Sequence, residues 1–203
     1  GFAGLSATLE SITLGKEVAL ANKESLVAAG KFIDPSKIIP VDSEHFALWY
    51  LNKGGSISKM LITASGGALR DAPLSMIYAS TVSDVLKHPN WTMGRKITVD
   101  SATMVNKLFE IIEAYWLFGD SLKYDAIIET SSTIHAMIEF RDGVTTAQMS
   151  EPDMRLPISY AINGEAVPNL FRPVDILGLG SLEFRTIDAA RYPAWRLKEE
   201  LLA

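Results

Sequence analysis

The stretch IIPVDSEHFALW, residues 38–49, decides how this chain is read. Its first half is apolar and rich in β-branched residues, the composition of a short buried strand, and its second half opens a helical pattern. At the junction stand Asp42 and Glu44, with Ser43 between them and His45 after them. Upstream, residues 3–14 carry apolar positions at helical spacing and Gly15 supplies a stop. EVALAN (17–22) then reads as a buried strand, and KESLVAAGKFI (23–33) returns to the helical period. Strands alternating with helices predict a parallel sheet, whose ligand crevice lies at the carboxyl ends of its strands. Asn22, Lys23, Asp42 and Glu44 all fall at such ends.

Downstream, SKMLITASGG (58–67) is a strand that breaks into a glycine pair, and a short helix is expected over 82–87. HPNWTMGRK (88–96) has the Pro, Asn and Gly punctuation of a loop. Residues 101–118 read as one long, strongly apolar helix. YDAIIET (124–130), TIHAMIEF (133–140) and TTAQMS (145–150) read as strands, with RDG (141–143) turning between the last two. A second, mostly antiparallel sheet flanked by helices follows. The fold class is therefore α/β in its first part and α+β overall.

The 203 residues are 48% apolar, enough for one large domain or two small ones with a real core. A net charge of −5 with scattered Lys and Arg gives no footprint for nucleic acid. The absence of cysteine excludes disulfides, thiolate metal sites and a cysteine nucleophile. No apolar run is long enough to span a bilayer and no charged-then-apolar leader opens the chain, so no membrane partner is expected and the location is read as cytoplasmic. Both ends read as cut rather than finished.

Two carboxylates placed as Asp42 and Glu44 share a face if strand geometry continues through them. They repel unless one is protonated or a cation lies between them, and a hard divalent ion with oxygen ligands resolves the conflict. The plainer account makes Ser43 the cap of the helix that follows, with Glu44 in an acidic first turn. That account leaves Asp42 unexplained. In the 101–118 helix, Asn106 and Glu110 are four apart on one face, with Lys107 about 100° round the axis. They form either a solvent-facing stripe or part of a site. The glycine pair after Ser65 can cradle a phosphate or simply turn the chain. Ser101, at the expected start of the long helix, can meet an anion or simply cap the helix. Ser65, Ser101, Asn106 and Lys107 together would suit one phosphate monoester. His88, Trp91 and Met93 in their loop suit either a lid over a ligand or a satellite hydrophobic contact.

LANKESLV (20–27), PVDSEH (40–45), HPNWTMGRKITVDSATMVNK (88–107) and EPDMR (151–155) resemble the 1-deoxy-D-xylulose 5-phosphate reductoisomerase family over essentially the whole chain. The resemblance implies NADPH-dependent conversion of 1-deoxy-D-xylulose 5-phosphate to 2-C-methyl-D-erythritol 4-phosphate with Mg2+ or Mn2+. It implies Asp42, Glu44 and Glu110 as metal ligands. Ser43, Ser65, His88, Trp91, Ser101, Asn106 and Lys107 are implied at the substrate. Asn22, Lys23, Glu24, Met93 and Met154 are implied towards the nucleotide, and Lys23, Glu44, Glu110 and His88 in catalysis. Ser132 and His135 correspond to a further serine and histidine lining the site. The partners implied are a small sugar phosphate and a second copy of the chain, as a homodimer.

On this reading residues 1–41 are the end of a Rossmann-like NADPH domain. Residues 42–180 are the central catalytic domain, and 181–203 lead towards a helical domain. The family's glycine-rich nucleotide turn and its C-terminal helical domain have no counterpart in the sequence. The expectation is a middle portion, inactive by itself. The alternative is a non-catalytic module that binds metal and sugar phosphate. Two local departures stand out: Glu129-Thr130-Ser131 where family members commonly have His-Pro-Gln, and Leu108-Phe109 after Lys107 where they commonly have Gly-Leu.

Overall fold

The computed structural model describes residues 1–165 and 167–202. Helix α1 (Leu5–Thr13) is followed by Gly15 at φ 71°, strand β1 (Val18–Leu20), helix α2 (Glu24–Ala29) and strand β2 (Ile38–Pro40). β1 and β2 pair in parallel, with Val18 opposite Ile38 and Leu20 opposite Pro40. Leu20, Leu26, Ala29, Ile33 and Ile38 close a small core against Leu5, Leu9 and Ile12 of α1. The helical and extended patterns read from residues 3–41 correspond to these elements.

Helix α3 (Ser43–Leu51) starts immediately after the acidic junction, and strand β3 (Ile57–Ala64) follows. Two one-turn helices, α4 (Leu74–Ile77) and α5 (Val82–Val85), lead to α6 (Arg95–Ala102) and α7 (Val105–Phe118). Strands β4 (Lys123–Glu129), β5 (Ile134–Phe140) and β6 (Thr145–Met149) come next. Helices α8 (Arg155–Asn163) and α9 (Ile176–Leu179), strand β7 (Phe184–Arg185) and helix α10 (Lys198–Leu202) complete the described chain. β3 to β7 form one five-stranded sheet in the order β6-β5-β3-β4-β7. β3 and β4 are its parallel pair; its other pairings are antiparallel. Among the described residues no helix is long and apolar enough to cross a membrane.

Ala47 and Leu48 of α3 and Ile111 and Ala114 of α7 pack on Met60, Ile62, Ala126, Ala136 and Ile138 of this sheet. The other end of α7 reaches the small core, where Trp116 and Leu117 pack. Gly30 allows that approach, since a Cβ there would lie 2.2 Å from the Trp116 ring. The two cores thus share one helix.

Two sequence expectations are corrected. Residues 101–118 are not one helix: α6 ends at Ala102 and α7 begins at Val105, because Met104 takes a left-handed conformation at φ 62°. That conformation costs a non-glycine residue roughly 1 kcal/mol, and burial of the Met104 side chain against Ala64, Ile128 and Tyr192 offsets it. With neither Gly nor Pro at the break, the helical period ran through it unmarked. The second correction is that the 88–96 loop ends at Gly94, and Arg95 and Lys96 already belong to α6.

Candidate active site

The acidic junction owes its shape to the change from strand to helix. Asp42 is the N-cap residue of α3 with φ −57° and ψ 135°, and Glu44 lies in the first turn. The expected extended geometry does not continue, so it is the helix start that sends both carboxylates to the same place. Ser43 is the first helical residue rather than the cap, and its hydroxyl donates to the Glu44 carboxylate. The third carboxylate, Glu110, comes from the second turn of α7 and is 1% exposed. Lys107 is 5% exposed, so the Asn106–Glu110 face of this helix is no solvent stripe. Asp42, Glu44 and Glu110 offer ligand atoms all within 4.8 Å of one another.

Two buried ammonium groups neutralise most of that charge. Lys23 Nζ is 2.7 Å from Glu110 Oε1, donates to Asn106 Oδ1 at 2.9 Å and also contacts the Asp42 carboxylate. Lys107 Nζ lies 2.5 Å from Glu110 Oε2 and contacts Glu44. Burial acts to lower the Lys23 pKa, but Asp42 and then Glu110 outweigh it and hold the group well above the ordinary lysine value. For Glu110, burial and then the Glu44 charge prevail over Lys107 and Lys23, pushing the carboxyl up to about 7. Burial opposes ionisation of Glu44 too, yet Lys107 and Lys23 keep it well below the usual carboxylate range. Asp42 Oδ2 and Glu110 Oε2 are buried without a hydrogen bond, held only by charge. Oxygens in that condition, in a cluster of three carboxylates, fit a hard divalent cation.

The cluster opens into a cavity of about 370 Å³. Ser65, at the end of β3, Ser101, Asn106 and Lys107 reach its wall, as do His88, Trp91, Met93 and Met154. Ser101 arrives from the last turn of α6 rather than from a helix start as the sequence suggested, and the break at Met104 turns α7 so that Asn106 faces the same space. Ser132 and His135 also line the cavity, and the His135 ring meets Trp91 edge-on at 6.4 Å. Of the residues expected near a nucleotide, Asn22 is not on this wall, and Glu24 lines an adjoining cavity of about 340 Å³ that shares Lys23 and Asn106.

The ring of His88 organises the loop above the cavity. Its Nδ1 accepts from the backbone N–H of Trp91 at 2.9 Å and of Asn90 at 3.2 Å. The proton therefore sits on Nε2 and is donated to Ser65 Oγ at 2.9 Å. Ser65 Oγ also accepts from Gly67 N–H at 3.1 Å, which leaves its own hydroxyl proton to point at a ligand. Burial, then the charges of Lys107 and Arg70, hold the His88 pKa below its ordinary value. Gly67 has φ 66°, and a Cβ on it would lie 2.5 Å from Ala102 Cα, so the glycine lets β3 pass close to the end of α6.

Sequence reasoning missed several residues that hold this arrangement. His45 donates from Nε2 to Glu110 O at 2.8 Å, while its Nδ1 lies 3.3 Å from Glu113 Oε2. Burial pushes Glu113 up to about 7, with His45 opposing. The place of His45 three residues after Asp42 was the available signal. Arg70 donates to Ser65 O at 2.8 Å and to Thr130 O at 3.0 Å, and nothing in a lone arginine after a glycine pair announces that.

Fold and site together define a mixed α/β protein built around a buried acid–lysine centre at the mouth of a ligand cavity. The family model described as 1-deoxy-D-xylulose 5-phosphate reductoisomerase matches residues 1–30, and the models described as the C-terminal domain of that enzyme match 38–118 and 149–203. The chain belongs to the 1-deoxy-D-xylulose 5-phosphate reductoisomerase family. Over its full length it is 57% identical to the 1-deoxy-D-xylulose 5-phosphate reductoisomerase of Nautilia profundicola, of which it covers 57%, and 53% identical to that of Helicobacter pylori strain J99, of which it covers 56%. It thus spans little more than half the length of the curated relatives it matches. A crystal structure of DOX-P reductoisomerase in complex with NADPH, fosmidomycin and magnesium superimposes with a TM-score of 0.90 at 37% identity, over 98% of this chain and 54% of that one. The Zymomonas mobilis enzyme in complex with NADPH gives 0.86, also at 37% identity, over 98% and 54%.

Proposed function

We propose that this chain carries the metal and substrate centre of a 1-deoxy-D-xylulose 5-phosphate reductoisomerase, converting that ketose phosphate to 2-C-methyl-D-erythritol 4-phosphate with NADPH. The observation that carries the reading is the convergence of Asp42, Glu44 and Glu110 on one wall of the cavity that Ser65, Ser101, Asn106 and Lys107 also line. Asp42, Glu44 and Glu110 would hold Mg2+ or Mn2+. Met93, Met154 and Lys23 would face the nicotinamide, with residues 1–41 as the end of the nucleotide domain and 42–180 as the catalytic domain.

A bound divalent ion supplies Lewis acidity towards vicinal oxygens of the sugar, and NADPH supplies the hydride. The chain's own residues do the rest. The hydroxyl proton left free on Ser65, the Ser101 hydroxyl, the Asn106 amide and the Lys107 ammonium bind the phosphate and fix the carbon chain in register. Ser43 contacts the substrate beside the acidic cluster. Lys23 holds a proton between Glu110 and the cavity and can deliver it to an oxygen that becomes basic as the carbon skeleton rearranges. Trp91 packs over the sugar, and its loop excludes water from an aldehyde awaiting reduction.

The same reading carries with it a cytoplasmic location and a homodimer, both taken over from the family resemblance. The test is NADPH oxidation by the full chain with 1-deoxy-D-xylulose 5-phosphate and Mn2+, alongside calorimetric titration of Mn2+ into wild type and Asp42→Asn. Mn2+ binding that the substitution removes is the expected result, with substrate-dependent oxidation where these residues are joined to a glycine-rich nucleotide-binding turn. Wild-type Mn2+ affinity in Asp42→Asn would overturn the assignment of the centre.

A further inference from the structure

The turn between β4 and β5 carries Glu129, Thr130 and Ser131, and the proposed chemistry uses none of the three. Glu129 is fully buried, at 0% exposure. A buried carboxylate is tolerated only when it is paired or saturated with donors. Among the described residues no cation lies against it; instead Oε1 accepts from the Ser131 N–H and hydroxyl, both at 2.7 Å, and Oε2 from the Thr133 N–H at 2.8 Å and the Ile134 N–H at 3.1 Å. The carboxylate therefore fills the inside of the turn and binds the backbone on both sides of Ser132, which stands in a left-handed conformation at φ 58°.

The outside of the same turn carries two connections. Thr130 O accepts from Arg70 Nη1 at 3.0 Å, and the same Arg70 nitrogen holds Ser65 O at 2.8 Å. Thr130 O also accepts from Asn90 Nδ2 at 3.1 Å, and Asn90 donates further to Ser132 Oγ at 2.7 Å. Asn90 lies between His88 and Trp91 in the loop over the cavity. One carbonyl oxygen thus joins the loop after β3 to the loop over the ligand, and the carboxylate behind it fixes where that oxygen points.

We propose that Glu129 is a positioning residue: by folding the 129–134 turn it ties the 88–94 loop and the Ser65 cradle to each other, so that phosphate binding and loop closure act as one event. The functional part of this rests on the proposed phosphate site, whereas the mechanical part does not. Glu129→Gln keeps the shape but turns an NH2 group towards backbone N–H donors, and Asn90→Ala cuts the same tie from the more exposed side. Tryptic cleavage after Lys87 and Arg95, which flank the loop, reads the tie without any ligand.

In both variants of the full chain we expect cleavage at these two sites to rise about tenfold, the effect of losing one or two hydrogen bonds to a charged or buried group. Cleavage at Lys59 and Lys123 in the sheet should be unchanged. In turnover, both variants should raise KM for the sugar phosphate more than they lower kcat, since uniform binding is what is lost. A folded Glu129→Gln with wild-type cleavage at Lys87 and Arg95, or Asn90→Ala with wild-type cleavage should Glu129→Gln not fold, overturns the proposal. So does an equal rise at all four sites. If wild type binds neither Mn2+ nor the sugar phosphate while the cleavage pattern holds, the reading of function has failed and the tie stands.

Discussion

Lys23 and Glu110 are 87 residues apart and meet at 2.7 Å with almost no solvent on either side. The contact joins the first turn after β1 to the second turn of α7, so the small core and the large sheet are connected through the candidate site itself. Removing one partner of a buried pair costs about 3 kcal/mol or more. Lys23→Met should lower stability by that amount in urea unfolding, and Mn2+ should restore more of the loss than it adds to wild type. Equal stabilisation of the two proteins by Mn2+ would show that the ammonium and the cation do not share a place.

Glu110→Gln removes one of three oxygen ligands while keeping the side-chain volume. Mn2+ affinity, read by calorimetry or by the electron paramagnetic resonance of free Mn2+, should fall at least about tenfold, the scale of losing one good charge contact. The same substitution leaves Lys23 and Lys107 with one carboxylate each, Asp42 and Glu44, so its cost in stability without metal should be smaller than that of Lys23→Met.

Gly67→Ala places a methyl group where Ala102 backbone atoms lie within 2.8 Å, at a φ that alanine resists. A loss of about 2 kcal/mol or more is expected in denaturant unfolding, combining strain and overpacking. Gly143→Ala, at φ 91° but in open space, should cost less.

His88 gives a pH dependence with a definite sign. Its folded pKa lies below the ordinary 6.5, so the folded protein binds that proton more weakly than the unfolded chain does. The stability it contributes is complete above about 6.5 and is lost as pH falls below that value. Protonating Nδ1 also breaks its bonds from the Asn90 and Trp91 amides. Hydrogen exchange at these two amides, corrected for intrinsic rates, should accelerate between pH 7 and pH 5.5, and His88→Gln should abolish the change. A pH-independent protection would count against this account of the loop.

The mixed character of the fold could be read from the helical period of α1 and α7 and from the short apolar or alternating runs of β3, β4 and β5. Asp42 stood out because the capping account left it unexplained, whereas Glu110 joined it and Glu44 only through the family resemblance, since its helix alone was equally a solvent-facing stripe. What escaped were features made by tertiary packing. The break at Met104 has no local signal, since its left-handed backbone is held by contacts with Ala64, Ile128 and Tyr192. Ser101 was placed on the wrong end of a helix for the same reason. Arg70, Asn90 and Glu129 act on backbone groups 40 or more residues away or inside a turn, and such pairings leave no spacing in the sequence.

Tyr192 is 1% exposed, and its hydroxyl donates to Gly66 O at 2.8 Å across 126 residues; beside it Arg191 Nη1 donates to Leu69 O and Ala72 O. The loop after β3 is therefore fastened by a segment made long after it. During synthesis at 5–20 residues per second, roughly ten seconds pass between the appearance of Gly66 and that of Tyr192. Through that interval the nascent chain carries its serine cradle unfastened, with Met104 and Ile128 lacking the ring that later covers them. A chaperone that shields apolar surface near the ribosome would find its substrate in this window, and a stop codon just before residue 191 would prolong it indefinitely.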